Sequence, residues 1–257
     1  MSFDTLSTLG PTFLILCAAV GVFAGFIKGA TGWGMPTILI SGLGSFLSPE
    51  LALAGLAVPT LVSNLWLAMR QGPAAALASA RTHLRFLITL CICLLIATQL
   101  VALVAPGTLF LLVGVPLTFF ALVQLAGWRP QVHDGNRRPA EYLMGVVAGT
   151  FGGMSGAWGP PTVLYLMAMN TPKQEAVRVQ GVLYGVGSVL LAAGLFRSGV
   201  LNADTVTFST ALLLPTLAGM LLGFVLQDRL DQTRFRRLTL IVLIVAGLNL
   251  IRRGLGF

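Results

Sequence analysis

The chain has 257 residues, of which 56% are hydrophobic and only 9% are charged. A soluble domain carries about 25% charged residues, so this composition excludes a soluble globular protein and predicts an integral membrane protein. The formal net charge of +8 does not indicate a nucleic-acid-binding protein, because the Lys and Arg residues lie mostly in short loops between apolar stretches, as membrane topology requires.

Apolar stretches follow one another along the chain, at about 11–27, 34–47, 51–69, 84–104, 107–127, 141–153, 158–169, 176–196, 204–226 and 238–251. A membrane-spanning helix needs about 20 apolar residues, and most of these stretches reach or approach that length. Two pairs do not: 11–27 with 34–47, and 141–153 with 158–169. Because the first ten residues contain no Lys or Arg, they lack the basic start of a cleavable signal peptide, and we expect the first stretch to remain in the mature protein.

The same motif breaks both pairs. GVFAGFIKGATGWGMPTIL at 21–39 returns as GVVAGTFGGMSGAWGPPTVL at 145–164, about half the chain later. Each copy begins with glycines four residues apart, which predicts a helix face that another helix approaches closely. The same spacing predicts close contacts at Gly181 with Gly185 and at Gly219 with Gly223. A helix breaker that occurs twice in an apolar chain is typical of the substrate site of a membrane transporter.

Two topologies accommodate the broken pairs. If each pair is one bent span, the chain has two parallel halves of four spans. If each pair is a helical hairpin that enters and leaves on one side, each half has a hairpin and three spans, and the second half is inverted. The inverted topology places 12 Lys and Arg residues on one side of the membrane and 3 on the other, whereas the parallel topology gives 9 and 6. The preference of Lys and Arg for the cytoplasmic side favours inversion, and five full crossings per half would give the same parity.

We therefore predict an all-α polytopic membrane protein of two inverted repeats, each a broken helical hairpin plus three transmembrane helices, with eight to ten membrane segments in total. The N-terminal repeat is assigned to 1–128, a basic cytoplasmic linker to 129–139, and the C-terminal repeat to 140–257, all within one membrane domain. The segment at 70–85 is expected to be a basic loop with three arginines, Arg70, Arg81 and Arg85.

The second arm of each predicted hairpin begins near proline, at Pro36 and at Pro160, where a helix tolerates proline best. The free N–H groups and the dipole at such a helix start attract an anion. In inverted repeats the two starts face one another near the midplane and form one site, with tryptophans as its walls. The predicted substrate-binding residues are Lys28, Thr31, Gly32, Trp33, Gly34, Pro36, Thr37, Asn64, Gly156, Trp158, Gly159, Pro161, Thr162 and Gln180. The alternative is a pair of kinks that serve only tight packing.

Lys28 is the one basic residue inside either motif, and Gly152 takes its position in the second copy. A lysine within a membrane is costly and is a functional hypothesis by default, although its long side chain can also extend to the interface. Asn64 and Gln180 are the residues of other apolar segments that we predict to line the cavity. Such polar residues otherwise serve as hydrogen-bond partners between helices.

The sequence favours neither an enzyme nor a metal site, and we expect no cofactor. Its apolar segments lack the clustered His, Asp or Glu side chains that acid–base or metal chemistry needs. His83 and His133 lie in basic loops and are expected to be solvated. The three cysteines are interpreted as small packing residues; they are Cys17, Cys91 and Cys93.

The duplicated segments Gly29 to Thr37 and Gly153 to Thr162, a length of about 250 residues and two similar halves resemble the TauE/SafE family of sulfite exporters and anion permeases. The resemblance implies a multi-pass protein of the inner (plasma) membrane that moves sulfite, sulfoacetate or another organosulfonate, mostly outward. It assigns no catalytic residue. We accordingly predict a secondary transporter, not an enzyme, that exports a small sulfur-containing anion by alternating access around the site between the two Gly-Pro breaks.

The alternatives are a permease or importer for another small anion or metabolite and, less favoured, a membrane-embedded enzyme. A purely structural scaffold would not need two breaks within the membrane. The predicted partners are a small anionic substrate and the lipid bilayer, with no nucleic acid, and a homo-oligomer stays open.

Overall fold

A computed structural model describes residues 10–100, 106–127, 132, 134–155 and 159–256. Every regular element in these ranges is a helix, which confirms the predicted all-α class. Numbered in chain order, the α-helices are α1 (Pro11–Thr31), α2 (Met35–Leu43), α3 (Pro49–Met69), α4 (Pro73–Thr82), α5 (Leu84–Leu100), α6 (Pro106–Leu125), α7 (Arg137–Ser155), α8 (Gly159–Ala168), α9 (Lys173–Arg197), α10 (Ala203–Arg229) and α11 (Gln232–Gly254).

Several of these helices are long and apolar enough to cross a membrane. In the described part of the chain, α1, α3, α9 and α10 qualify individually, and α4 with α5 qualifies as a pair with a bend of 74° between them. At a rise of 1.5 Å per residue, a helix the length of α1 covers about 30 Å, the thickness of the hydrocarbon core. The chain is therefore a multi-pass helical membrane protein, as its composition predicts.

One helix was not predicted. The segment at 70–85 was expected to be a loop, but α4 occupies most of it. Its sequence, PAAALASART, begins with proline at the first turn and continues with alanine, the residue with the highest helix propensity. Because α4 is not strongly apolar, a search for hydrophobic stretches does not find it.

The first broken pair forms a helical hairpin. Gly42, near the end of α2, lies against the side chain of Val20, and the ring centroid of Phe46 is 6.1 Å from that of Phe13. Later residues of the return arm thus contact earlier residues of α1, so the two arms are antiparallel. The nine residues of α2 cover only about 14 Å, too short to cross the bilayer. The return arm is therefore not a membrane span by itself, and a re-entrant hairpin stays a prediction.

The contacts divide the chain into two compact units. The first contains Met1–Ala76 and Gln180–Leu230, and the second contains Leu77–Val179 and Asp231–Phe257. Each unit draws segments from both sequence halves. The repeat bounds of 1–128 and 140–257, with the linker at 129–139, describe the internal similarity of the sequence and stay a prediction.

In the first unit, α1 packs along α10 through its glycines. A Cβ atom added at Gly25 would lie 1.9 Å from the carbonyl oxygen of Thr216, and one added at Gly219 would lie 1.9 Å from the carbonyl oxygen of Val22. No side chain fits in either place, so the helix backbones touch. The close approach predicted from the glycine spacing is confirmed for this pair of helices.

A close helix contact was also predicted at Gly181 and Gly185 of α9, and the structure shows it only at Gly181. A Cβ atom at Gly181 of α9 would lie 2.4 Å from the amide nitrogen of Ala68 at the end of α3, a close approach of the kind predicted. Within the described part of the chain, no atom lies within 4 Å of a Cβ added at Gly185, so no described residue makes the predicted close approach there.

An apolar core lies between α2, α3 and α10 in this unit. Leu39 and Leu43 on α2 are fully buried, and they pack in one cluster with Leu56 of α3 and with Phe208 and Leu212 of α10. In a bilayer, contacts of this kind stabilise the fold through van der Waals packing and not through removal of the side chains from water. This core fixes the short arm of the hairpin against two long helices.

Proline interrupts α3 at Pro59, which has no N–H to donate to the carbonyl of Gly55 one turn earlier. Ser209 of α10 supplies the missing bond, since its hydroxyl donates to the Gly55 carbonyl oxygen at 3.1 Å. The same hydroxyl accepts a hydrogen bond from the N–H of Val58 at 3.0 Å. A serine on a neighbouring helix thus satisfies the backbone groups released by a proline inside an apolar segment.

In the second unit, α7 packs on α5 and α6 packs on α11. A Cβ atom at Gly149 would lie 2.4 Å from the carbonyl oxygen of Leu90 on α5, and one at Gly114 would lie 2.9 Å from the carbonyl oxygen of Gly247 on α11. The second copy of the glycine face therefore also packs closely on another helix. As in the first unit, the partner helix comes from the other half of the sequence.

Candidate functional site

The tip of the first hairpin is shaped by two glycines in the left-handed conformation. Gly32, after the last residue of α1, has a φ of 87°, and Gly34, before the first residue of α2, has a φ of 90°. Residues with a Cβ atom rarely adopt this conformation, so the Gly-Trp-Gly sequence permits the chain to reverse within three residues. The N–H of Gly32 donates to the carbonyl oxygen of Lys28 at 2.7 Å, which closes α1.

Thr31 and Trp33 fill the tip. Both side chains are buried, and the Thr31 hydroxyl donates to the carbonyl oxygen of Ile27 at 2.8 Å. The indole Nε1 of Trp33 has no hydrogen-bond partner among the described residues. A buried N–H donor without a partner costs about 1–3 kcal/mol, so this group is available to a ligand that carries an acceptor oxygen.

Lys28 lies one turn before the tip, and its side chain is only 1% exposed. Its ammonium group donates a hydrogen bond to Oδ1 of Asn64 on α3. The other end of the same amide is also held, since Nδ2 of Asn64 donates to the carbonyl oxygen of Tyr184 on α9 at 3.1 Å. The lysine predicted from its place in the motif therefore contacts the asparagine predicted from a separate helix.

A neutral amide holds Lys28 in place but does not compensate its charge. Among the described residues, the salt bridges involve arginines with Asp228, Glu141 and Asp231, and none involves Lys28. Removing an ion from water costs several kcal/mol unless an opposite charge or several hydrogen bonds replace the water. The first tip thus combines a fixed buried cation with free donors, an arrangement suited to an anion.

The start of α2 adds to this positive potential. Gly34 caps the helix without a side-chain acceptor, and proline occupies one of the first two positions. The N–H groups of the first turn have no partner within the helix, and the helix dipole is positive at this end. Pro36 and Thr37 are half-buried here, beside the two left-handed glycines.

The remaining predicted residues are distributed as follows. Gln180 is buried on α9, one turn before Tyr184, and its Oε1 has no hydrogen-bond partner in the described part of the chain. Gly159, Pro161 and Thr162 begin α8 in the second unit, where Pro161 and Thr162 are buried. Gly156 and Trp158 lie outside the described residues. The binding roles of the residues of the second break stay predictions.

Three functional candidates were not predicted from the sequence. Glu141 on α7 is fully buried, and Tyr165 on α8 and His83, between α4 and α5, are nearly so. The expectation that His83 is solvated is wrong, because α4 and α5 enclose it. A pattern did exist for one of them: Tyr165 follows the repeated proline motif by one turn. Nothing in the sequence indicates its pairing with His83.

The described residues contain no group of three or more His, Cys, Asp or Glu side chains that could hold a metal ion. The chemistry at the first tip is instead that of a donor site, with an ammonium group, an indole N–H and a helix start.

The model of the family described as Sulfite exporter TauE/SafE matches residues 17–250, nearly the whole chain and both breaks. The chain belongs to the TauE/SafE sulfite exporter family. No curated protein and no solved structure matches it significantly. Membership confirms the resemblance based on the duplicated motif. TauE/SafE proteins are membrane transporters of sulfur-containing anions such as sulfite, so a small anion and lipid are the expected partners of this chain.

Proposed function

We propose that the protein exports sulfite or a small organosulfonate across the inner membrane and binds the anion at Lys28, at the tip of the first hairpin. The observation that carries this proposal is the buried ammonium group of Lys28, held by Asn64. TauE/SafE membership supports a sulfur-containing anion as the substrate, and the buried donors of the tip support its place of binding.

A sulfonate or sulfite fits these donors chemically. Each presents several oxygen atoms that accept hydrogen bonds. Because the groups at the tip are donors, the anion only has to accept. The ammonium group has three N–H donors, of which Asn64 takes one, and the indole of Trp33 offers another. A hydrogen bond from a charged donor to a charged acceptor is about twice as strong as a neutral one. One lysine also matches an anion of low charge.

We infer an alternating-access cycle in which the tip is reached from one side of the membrane and then from the other, as in transporters built from inverted repeats. The inverted relation of the two halves is part of this proposal. It is supported by the charge distribution and by the fact that each sequence half begins with a broken helix whose glycine face packs on a helix of the other half.

The proposal is tested by transport into proteoliposomes containing the purified protein. Vesicles loaded with unlabelled sulfite take up labelled sulfite by counter-transport, and sulfoacetate, taurine and a carboxylate are offered as competitors. We expect Lys28→Met to reduce the apparent affinity about 10- to 100-fold, because a hydrogen bond to a charged group contributes about 1.5–3 kcal/mol.

Lys173→Met is the matched control, since Lys28 and Lys173 are the only lysines of the sequence, and we expect it to transport like the wild type. Equal affinity in Lys28→Met and Lys173→Met would remove Lys28 from the site. Competition by the carboxylate but by none of the sulfur compounds would overturn the substrate class.

A further inference from the structure

A group of buried titratable side chains joins the start of α7 to the end of α8, at the base of the second hairpin, whose arms are these two helices. We call it the base cluster: His83 between α4 and α5, Glu141 near the start of α7, and Tyr165 near the end of α8. Their side chains are 3%, 0% and 1% exposed. Anion binding at Lys28 uses none of them, and all belong to the second unit.

Tyr165 connects the other two members. Its hydroxyl lies 3.4 Å from Nδ1 of His83, and it also interacts with the carboxylate of Glu141. The ring of Phe86 stacks on Tyr165 with centroids 5.0 Å apart, which fixes the position of the phenol. The cluster thus links the two arms of the hairpin, α7 and α8, to the junction before α5.

Arginines border the cluster on its exposed side. Nε of Arg137 lies 2.9 Å from one oxygen of Glu141, and a guanidinium nitrogen of Arg85 lies 3.3 Å from the other. The Arg85 and Arg137 side chains are 44% and 34% exposed, so the charged groups that contact the buried carboxylate lie at the surface of this unit.

The other charged neighbours are few. Arg137, Glu141 and Glu175 act electrostatically on His83, and Arg178 of α9 donates to Ser79 of α4 at 2.7 Å. Arg138 and Arg81 are exposed at the ends of their helices. The sequence of α6, which also contacts α7 and α8, has no titratable side chain.

The first hairpin shows that a hairpin base does not need such groups. In the alignment of the two motifs, Cys17 corresponds to Glu141 and Ile40 to Tyr165. Cys17 belongs to the apolar core and Ile40 packs against it. The arms of the first hairpin are thus held together at their base by apolar side chains, and those of the second by titratable side chains. Because apolar side chains are sufficient to hold the arms together, the titratable ones indicate a further role.

We propose that the base cluster binds one exchangeable proton and that this proton controls the base of the second hairpin during transport. When Nδ1 of His83 is unprotonated, it accepts the hydrogen bond of the Tyr165 hydroxyl. A proton from water that adds to Nδ1 forms the imidazolium, which can only donate at this atom. The Tyr165 oxygen then accepts from His83, and its hydroxyl hydrogen turns to the Glu141 carboxylate. Loss of the same proton to water reverses both changes.

The proton state therefore decides whether Tyr165 on α8 donates to the α4–α5 junction or to α7, the other arm of its own hairpin. An ordinary histidine changes charge between about pH 5 and 8; burial and the nearby charge of Arg137 lower the pKa of His83 below its usual range. The link to transport rests on the proposed function, whereas proton binding by the cluster does not.

The two histidines of the sequence permit a direct test of proton binding. In His133→Gln, His83 is the only imidazole, and its nuclear magnetic resonance signals in isotope-labelled protein report its protonation against pH. We expect one protonation step, at lower pH than that of a free histidine, because burial disfavours the imidazolium and lowers its pKa. Glu141→Gln in this background should lower the midpoint, because the carboxylate favours the imidazolium. Tyr165→Phe, a conservative change that keeps the stacked ring, should also shift it.

The link to transport is tested with sulfoacetate, whose acidic groups stay ionised throughout this pH range. We expect its transport rate to depend on pH in His133→Gln and to lose that dependence in His83→Gln. A His83 signal that does not titrate, or a midpoint that neither Glu141→Gln nor Tyr165→Phe moves, would overturn the proton site. Equal pH profiles in His83→Gln and His133→Gln would overturn the link to transport. If His133→Gln titrates as expected but carries neither sulfite nor sulfoacetate at any pH, the proposed function fails and the proton site stands.

Discussion

We expect Ser209 to stabilise the fold mainly because Pro59 interrupts α3. Its hydroxyl donates to the Gly55 carbonyl oxygen at 3.1 Å and accepts from the Val58 N–H at 3.0 Å. Ser209→Ala would leave the buried Gly55 carbonyl oxygen without this partner and would remove one acceptor from the half-buried Val58 N–H; a buried group without a partner costs about 1–3 kcal/mol. We therefore expect this single substitution to lower the free energy of unfolding by about 1–3 kcal/mol.

The same reasoning predicts that Pro59→Ala reduces the effect. Alanine at position 59 has an N–H that can donate to the Gly55 carbonyl oxygen within α3, as in an uninterrupted helix. The Gly55 carbonyl oxygen then no longer depends on the Ser209 hydroxyl as its donor. In a double-mutant cycle, Ser209→Ala should cost about 1–2 kcal/mol less in the Pro59→Ala background than in the wild type.

The assay is unfolding of the four purified proteins in detergent, followed by the helical circular dichroism signal. Thr207→Ala is the control, because the Thr207 hydroxyl on the same helix is exposed and donates to the carbonyl oxygen of Ala203 at 3.1 Å, so its loss should change little. If Ser209→Ala costs the same with and without Pro59, the serine does not repair the proline break and the reasoning is refuted.

Three further substitutions test separate contacts. Gly25→Ala places a Cβ atom 1.9 Å from a carbonyl oxygen of α10, so it should cost about 1–3 kcal/mol in thermal unfolding, whereas Gly194→Ala, with no atom within 4 Å, should be neutral or stabilising. Asn64→Asp gives the buried lysine a carboxylate partner, so sulfite binding measured by calorimetry should be lost while the melting temperature is kept; undiminished binding would contradict the charge argument. Arg70→Met removes contacts at 2.6 Å to Gln227, at 2.7 Å to Asp228 and at 4.0 Å to the Phe224 ring, and should destabilise by about 1–2 kcal/mol; Arg234→Met, whose ion pair is mostly exposed, should not.

The sequence predicted those features of the fold that depend on local chemistry. Glycines four residues apart predicted the close packing of α1, because only a backbone without side chains permits contact with a carbonyl oxygen. The Gly-Trp-Gly-Met-Pro run predicted the hairpin tip, because left-handed glycines and an early proline end one helix and begin another. The sequence left open whether each break is a re-entrant tip or a joint between two short spans; the nine residues of α2 are in keeping with re-entry, which stays a prediction.

Contacts between distant helices were beyond the sequence. Lys28 and Asn64 were each singled out as polar residues in apolar segments, but their hydrogen bond depends on how α1 and α3 both pack on α10. The base cluster was missed for a similar reason. His83 and Glu141 lie in segments whose basic composition resembles a solvated loop, and only the packing of α4, α5 and α8 buries them. The burial of a charged residue near a helix end therefore cannot be predicted from the sequence alone, because it depends on the tertiary structure.

The central claim is that Lys28 binds the anion, and anomalous X-ray scattering from crystals soaked in selenite, the selenium analogue of sulfite, tests it most directly. We expect a selenium peak with an oxygen about 2.8 Å from the Nζ atom of Lys28, and no such peak in Lys28→Met. A peak at another place, or the same peak in both proteins, would contradict it.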